Sequence, residues 1–319
     1  MLKKIKRNII ISLVVAGVLY LGFSIYANFD DVISSFEKFN WLLLPLLFLL
    51  SLANYYFRFL KWDYYLSVLK VDVKKIDSFS IFMSGLIMSV TPGKMGELLK
   101  SYLVKEVTKT PISKTLPIIF AERITDFISL IIITLIGAYV FNFGREIVIG
   151  VGIFFILVLL IISNKRFALS IIKLLEKNKF LNKHLKSIHN AYESSYQMLK
   201  PIPLINMTLL SLVAWSFECL GYHIILINLG IKISYLWASF SYGFSTIVGA
   251  VTMLPGGLGV TEGSLTFMLI RNNFSKDLAV ASTFIVRIVT LWFSVLVGII
   301  SVSLYQNRFG KITVETVPN

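Results

Sequence analysis

Residues 253–265 read MLPGGLGVTEGSL and lie inside a strongly apolar region. Pro255 cannot donate a backbone hydrogen bond, and glycines at 256, 257, 259 and 263 weaken a helix. Glu262 adds a charge that a plain membrane crossing excludes. A second stretch, 89–99, reads SVTPGKMGELL and poses the same problem. In lipid, irregular backbone is tolerated only where it is buried in protein or lines a polar cavity. Both breaks therefore mark a place with work to do.

The surrounding composition sets the class. Hydrophobic residues make up 56% and charged residues 15%, with a mean hydropathy of +0.78. Apolar runs of about 20 residues recur, long enough to span a bilayer as helices. They are continuous rather than alternating, which excludes a β-barrel. The expected fold is an all-α polytopic membrane protein. The opening MLKKIKRNIIISLVVAGVLYLGFSIYANF has too long an apolar run for a signal peptide and no A-x-A ending, so it reads as a retained first helix. One cysteine, Cys219, excludes an internal disulfide and a cysteine metal cluster. The formal charge of +14 comes mainly from basic residues in short loops, the positive-inside pattern, so no nucleic-acid partner is expected.

Six spanning helices are predicted at 8–27, 41–60, 115–140, 147–163, 203–229 and 278–305. The regions 78–107 and 235–271 are apolar but interrupted. Basic segments at the N-terminus, at 61–78 (Lys61, Lys70, Lys74, Lys75) and at 164–200 place those parts in the cytoplasm. The loop 28–40, with Asp30, Asp31 and Glu37, then faces outward. An even number of crossings must separate 61–78 from 164–200, and 115–140 with 147–163 already supply two. The first interrupted segment is therefore a re-entrant hairpin turning at Pro92-Gly93. The same reasoning makes 235–271 a hairpin from the outer side, turning at Pro255, Gly256 and Gly257. Both termini are expected in the cytoplasm of a multi-pass protein of the cell membrane. Residues 1–319 form one integral membrane domain, with 78–140 the first repeat core and 235–305 the second. Between them, 164–200 is a basic amphipathic connector that either lies on an anionic leaflet or simply sets orientation.

The breaks match each other. Pro92 precedes Arg123 by 31 residues and Pro255 precedes Arg287 by 32, with Glu97 and Glu262 between. Entry from opposite sides gives the repeats inverted topology. Paired broken segments in two halves point to a transporter site near the midplane.

Four motifs, TPGKMGELLKSYLV, AERITDFISL, LPGGLGVTEGSL and RIVTLWFSVLVG, resemble the flippase-like membrane domain of lysylphosphatidylglycerol synthases, the multiple peptide resistance factors, whose relatives include stand-alone proteins. The resemblance runs over nearly the whole chain. It implies movement of a lipid: an aminoacylated phospholipid, an anionic phospholipid or a polyprenyl-phosphate-linked lipid. It also implies a separate lipid-modifying enzyme as a partner, and a homo-oligomer is compatible with it.

Ionisable residues within the apolar segments are the candidate site: Lys94, Glu97, Glu122, Arg123, Asp126, Glu218, Glu262 and Arg287. Glu262 is the natural partner of Arg287, and the repeat pairs Glu97 with Arg123. Such pairs hold hairpins against helices, and their arginines also suit a lipid phosphate because the guanidinium donates bidentately. The two roles are compatible. His223 reads as a packing residue, His184 and His189 lack metal-ligand company, and Trp41, Trp62 and Trp237 read as interface anchors. No catalytic residue, metal or cofactor is expected, and no ATPase motif is present.

Two other classes stay open. Asp30, Asp31 and Glu37 would serve a membrane glycosyltransferase acting on a polyprenyl-phosphate sugar, although their loop is short and no H-E-x-x-H, P-loop or G-x-S-x-G supports an enzyme. An ion-coupled transporter of small solutes would use Glu218 and Asp126 as proton carriers.

Overall fold

The computed structural model describes residues 2–91, 97–166, 168–170 and 185–309, and every regular element among them is helical. In chain order these are α1 (Leu2–Tyr26), α2 (Phe29–Lys38), α3 (Leu44–Val68), α4 (Lys75–Gly85), α5 (Leu98–Thr108), α6 (Ile112–Val140), α7 (Arg145–Ser163), α8 (Leu185–Met198), α9 (Pro201–Asn228), α10 (Tyr235–Val251), α11 (Val260–Arg271), α12 (Lys276–Arg287) and α13 (Phe293–Phe309). Among the described residues, four stretches are long and apolar enough to cross a membrane: Trp41–Val68, Arg145–Ser163, Pro201–Asn228 and Lys276–Arg308. The pair Ile10–Tyr26 and Phe29–Lys38, bent by 98°, is a fifth candidate.

That bend corrects one expectation. Residues 29–38 form a helix rather than a loop, because Phe29, Val32, Ile33 and Phe36 recur at helical spacing opposite Asp30, Asp31, Ser34 and Glu37. Val32 and Ser35 are buried, and the Ser35 hydroxyl donates to Asp277 at 2.7 Å. Within 164–200, α8 packs on α6 and α7 and buries Ser194 and Met198. Lys173, Lys177, Lys179 and Lys183 lie outside the described residues.

The chain forms two compact units. The first comprises Met1–Leu52, Ser80–Glu97 and Glu218–Asn319. In it α10 folds back on α11, and α12 packs on α11, α2 and α1. The 3₁₀ turn Leu86–Met88 lies against α13. The approach there is backbone to backbone: a Cβ on Gly298 would collide with the Ile87 backbone nitrogen. The second unit comprises Ala53–Phe79 and Leu98–Phe217. Here α6 is the central helix, contacting α5, α7 and α8. The Ser129 hydroxyl bonds the Thr208 carbonyl at 2.9 Å, and Asn54 Nδ2 donates to the Ala214 carbonyl at 2.8 Å.

Local structure recurs along the chain. At the end of α3, Lys70 N–H bonds Ser67 O and Val71 N–H bonds Leu66 O. At the end of α9, Gly230 N–H bonds Ile227 O and Ile231 N–H bonds Leu226 O. Both are Schellman stops, with φ of +51° at Lys70 and +80° at Gly230, and both are followed by the next helix after the same interval. The pattern of buried and exposed positions over 61–78 is repeated without change over 221–238. Before α6 and before α12, Lys109 and Asn273 both take positive φ, +61° and +63°. In the first unit α2 packs on α12, and in the second α8 packs on α6, so corresponding helices find corresponding partners.

Gly298→Ala should lower stability by about 1–3 kcal/mol, because the new methyl must push backbone rather than a side-chain tip. Gly17→Ala, with nothing within 4 Å of its Cβ position, should cost nothing. Thermal unfolding of the two purified variants in detergent measures the difference.

Candidate functional site

The segment 253–265 shows how a broken helix is made tolerable. The chain turns through Pro255–Gly257 as a single 3₁₀ turn between α10 and α11, with positive φ at Met253, Gly256, Gly257 and Gly259. Gly256 is required for space as well as for its φ of +60°, since a Cβ there would press on Leu291 at 3.1 Å and approach the Ser89 carbonyl at 3.6 Å. Val90 joins Ala16, Leu258, Leu291 and Val295 in one apolar cluster, and Ser12 Oγ donates to the Val90 carbonyl at 3.0 Å. The approach to the first break is therefore seated beside the second break, inside the first unit.

Breaking the helix frees backbone groups that lipid cannot satisfy, and two charged side chains take them up. Glu262, fully buried at the start of α11, accepts from the Gly259 N–H at 2.7 Å through Oε2. The positive end of the α11 dipole adds to this. Its Oε1 accepts from Arg287 Nε at 2.6 Å. Arg287 Nη2 donates to the Gly256 carbonyl at 2.5 Å, closing the loop from α12 back to the turn. Tyr20 Oη lies 3.5 Å from Glu262 Oε1 and accepts from Trp292 Nε1 at 3.0 Å. The Tyr242 hydroxyl donates to Glu218 at 2.6 Å. The expected Arg287–Glu262 pair thus forms. A guanidinium carries five N–H donors. Nε and Nη2 are engaged, and the side chain keeps 10% of its surface exposed.

The second unit holds a different constellation. Lys61, 1% exposed on α3, donates to Asp126 Oδ1 at 2.5 Å, Ser211 Oγ at 2.6 Å, Thr125 Oγ1 at 3.2 Å and the Glu122 carbonyl at 3.3 Å. Lys100 on α5 pairs with Glu122 Oε2 at 2.6 Å and stands 4.7 Å over the ring of Trp62. Ser211 donates to Asp126 Oδ1 at 3.0 Å. Arg123 Nη1 is 4.0 Å from Asp126 Oδ2, with 20% of its side chain exposed.

Several sequence-based expectations change here. Lys61 is not a cytoplasmic loop charge, because α3 continues to Val68 and Asp126 supplies the partner that a fully buried ammonium requires. Trp62 and Trp237, at 0% and 3% exposure, are packed inside the protein rather than anchored at an interface, whereas Trp41 remains exposed. Lys61 and Lys100 were missed as site residues; their signal was the excess of carboxylates on α6 over nearby arginine. Glu97 is buried. Pro92, Gly93 and Lys94 lie outside the described residues, as does His184. His223 stacks edge-on against Tyr235 at 5.5 Å, a packing role.

Arg287→Ala should destabilise the protein by about 3–5 kcal/mol by leaving Glu262 buried without a counter-charge. The neutral double change Arg287→Gln with Glu262→Gln should recover most of that loss. Thermal melts of the purified variants in detergent test it, and an Arg287→Ala variant as stable as the parent would show that Glu262 is solvated.

A family model described as "Lysylphosphatidylglycerol synthase TM region" matches residues 9–298. A UPF0104 membrane protein of Methanocaldococcus jannaschii is 29% identical over 70% of this chain and 96% of its own length. UPF0104 membrane proteins of Methanothermobacter thermautotrophicus and Archaeoglobus fulgidus are each 24% identical over 95% of this chain, and over 95% and 98% of their own lengths. These archaeal relatives are stand-alone membrane proteins. With its helices, its broken segments and a match over 9–298, the chain belongs to the family of the lysylphosphatidylglycerol synthase transmembrane region.

Proposed function

We propose that this protein moves a phosphate-bearing lipid headgroup, of a phospholipid or a polyprenyl-phosphate-linked lipid, between the leaflets of the cell membrane. One observation carries the reading: a buried arginine beside a broken helix, with two of its nitrogens committed to Glu262 and Gly256 and part of its fork exposed. Arginine's planar, always-charged fork is suited to phosphate, and the committed donors hold it in place for a ligand. Glu262 balances the charge while the site is empty. Arg123 is assigned to a corresponding station of the first repeat, and Glu218, bonded by the Tyr242 hydroxyl, to the station of Arg287.

On this reading α1 and α6 join the four apolar stretches as crossings, giving six, and α4–α5 and α10–α11 are re-entrant. Each half then has three crossings, and an odd number inverts the second half relative to the first. The matching Schellman stops and the matching α2–α12 and α8–α6 packing support it. Both termini face the cytoplasm in this scheme. The protein is assigned no chemistry of its own; a separate lipid-modifying enzyme would supply its cargo.

Purified protein in liposomes should translocate a fluorescent phosphatidylglycerol without any nucleotide sugar. Arg287→Lys keeps the charge and loses the fork, and should slow translocation about tenfold or more, the size of one to two charge-assisted hydrogen bonds. Asp30→Asn, Asp31→Asn and Glu37→Gln together should change little. Translocation indistinguishable from empty liposomes, with the triple variant inactive in a sugar-transfer assay, would replace this reading by the glycosyltransferase one.

A further inference from the structure

The chain's own repetition separates charges that serve the shared architecture from charges that do something more. Lys61 corresponds to Gly221, 160 residues on, in the register fixed by the two Schellman stops and the repeated burial pattern. Aligning Arg123 with Arg287 also aligns Phe120 with Phe284, and places Val286 opposite Glu122 and Thr290 opposite Asp126. Aligning Glu97 with Glu262 places Leu265 opposite Lys100, with the neighbouring pairs Ser101–Thr266, Tyr102–Phe267 and Leu103–Met268 in keeping. Arginine and the hairpin glutamate thus recur in both halves. All four members of the Lys61–Asp126 and Lys100–Glu122 pairs occur in one half only, against Gly221, Thr290, Leu265 and Val286. A fold that builds the second copy without these charges does not need them to build the first.

The geometry singles out Asp126 within the set. Its Oδ1 accepts both Lys61 and Ser211, while its Oδ2 is buried and has no hydrogen-bond partner among the described residues. The groups around it are Arg58, Lys61 and Tyr65 of α3, Glu122 and Arg123 of α6, and the hydroxyls of Thr125 and Ser211, with Lys100 of α5 paired to Glu122. The two ion pairs sum to zero charge. If Lys61 withdraws, Asp126 loses the ammonium that is hydrogen-bonded to it and keeps only the more distant Arg58 and Arg123, the latter 4.0 Å from Oδ2, so a proton can take the ammonium's place on the buried carboxylate.

We propose that the Lys61–Asp126 pair is a proton-exchange site that couples the conformational cycle to a proton gradient. When the pair opens, one proton from water adds to Asp126 to give the neutral acid, and Lys61 keeps its charge. When the pair closes, that proton returns to water and the ammonium again bonds Oδ1. No other bond forms or breaks. Its presence in one repeat only makes the two directions of movement inequivalent, which a symmetric pair of arginine stations would not. The use of the gradient for lipid movement rests on the function proposed above, whereas the proton exchange itself does not.

Two measurements test it separately. Infrared difference spectra of the purified protein between alkaline and acidic buffer should contain, beside the absorption of the exposed carboxyl groups, a protonated-carboxyl band that is missing in the neutral pair Lys61→Met with Asp126→Asn. That pair removes both charges and so avoids stranding either. The band should persist in Lys100→Met with Glu122→Gln. A band unaltered by the Lys61–Asp126 pair, or no band at all, overturns the proposal whatever the protein transports. In proteoliposomes, an imposed pH gradient should change phosphatidylglycerol translocation by the parent protein by up to about tenfold per pH unit, the limit for one coupled proton. A gradient response in the neutral Lys61–Asp126 pair equal to that of the parent overturns the coupling. Failure of the parent to translocate lipid, with the infrared band present and lost as stated, would instead count against the lipid reading and leave proton exchange supported.

Discussion

A polypeptide that interrupts a helix among apolar surroundings releases N–H and C=O groups that lipid cannot satisfy, each at a cost of several kcal/mol. In this protein the release occurs between α10 and α11, and Glu262 and Arg287 absorb it. Glu262 takes the Gly259 amide, Arg287 takes the Gly256 carbonyl, and the two side chains neutralise each other at 2.6 Å. The glycines follow from that arrangement. Gly256 must turn with positive φ under Leu291, and a side chain on Gly257 would strike Thr261 Oγ1 at 2.5 Å. The first break is approached through Val90, held by Ser12 and by the same apolar cluster. Arg287 thus comes with its counter-charge built in.

The second unit solves a different problem. Its charges lie on α3, α5 and α6, and most of their bonds run between side chains. Lys61 uses four acceptors, one of them a main-chain carbonyl, and Lys100 adds a cation–π contact with Trp62. Burying two ion pairs this completely need not stabilise a fold relative to apolar residues of similar size. That absence of a required stabilising role is the physical reason for the proposal that they take part in a working cycle.

Much of this architecture was legible in the sequence. Continuous apolar runs dictate helices in a membrane, because only helices satisfy their own backbone there. Proline with adjacent glycines marks a break, and the one at 255–257 falls where the sequence places it, whereas the lone Pro117 is carried inside α6. The pairing of Glu262 with Arg287 was readable because α12 offers that glutamate one obvious arginine. The helix at 29–38 was less legible, since its alternation of Asp and apolar residues is too short for composition alone to distinguish from a loop.

Partners separated by long stretches of chain were decided by tertiary structure. Nothing local to Lys61 distinguishes a lysine beyond a helix end from one sealed inside the protein. Only the packing of α3 and α9 beside α6, which brings Asp126 and Ser211 within 2.6 Å of its ammonium, makes that distinction. Trp62 and Trp237 likewise look like interface residues until neighbouring helices cover them. The sequence by itself determined the solvent, the helices and where they break, because those follow from backbone hydrogen bonding and hydropathy along the chain. Which buried charges meet was left to the tertiary structure, because a Coulomb partner depends on distance in space and not on separation in sequence.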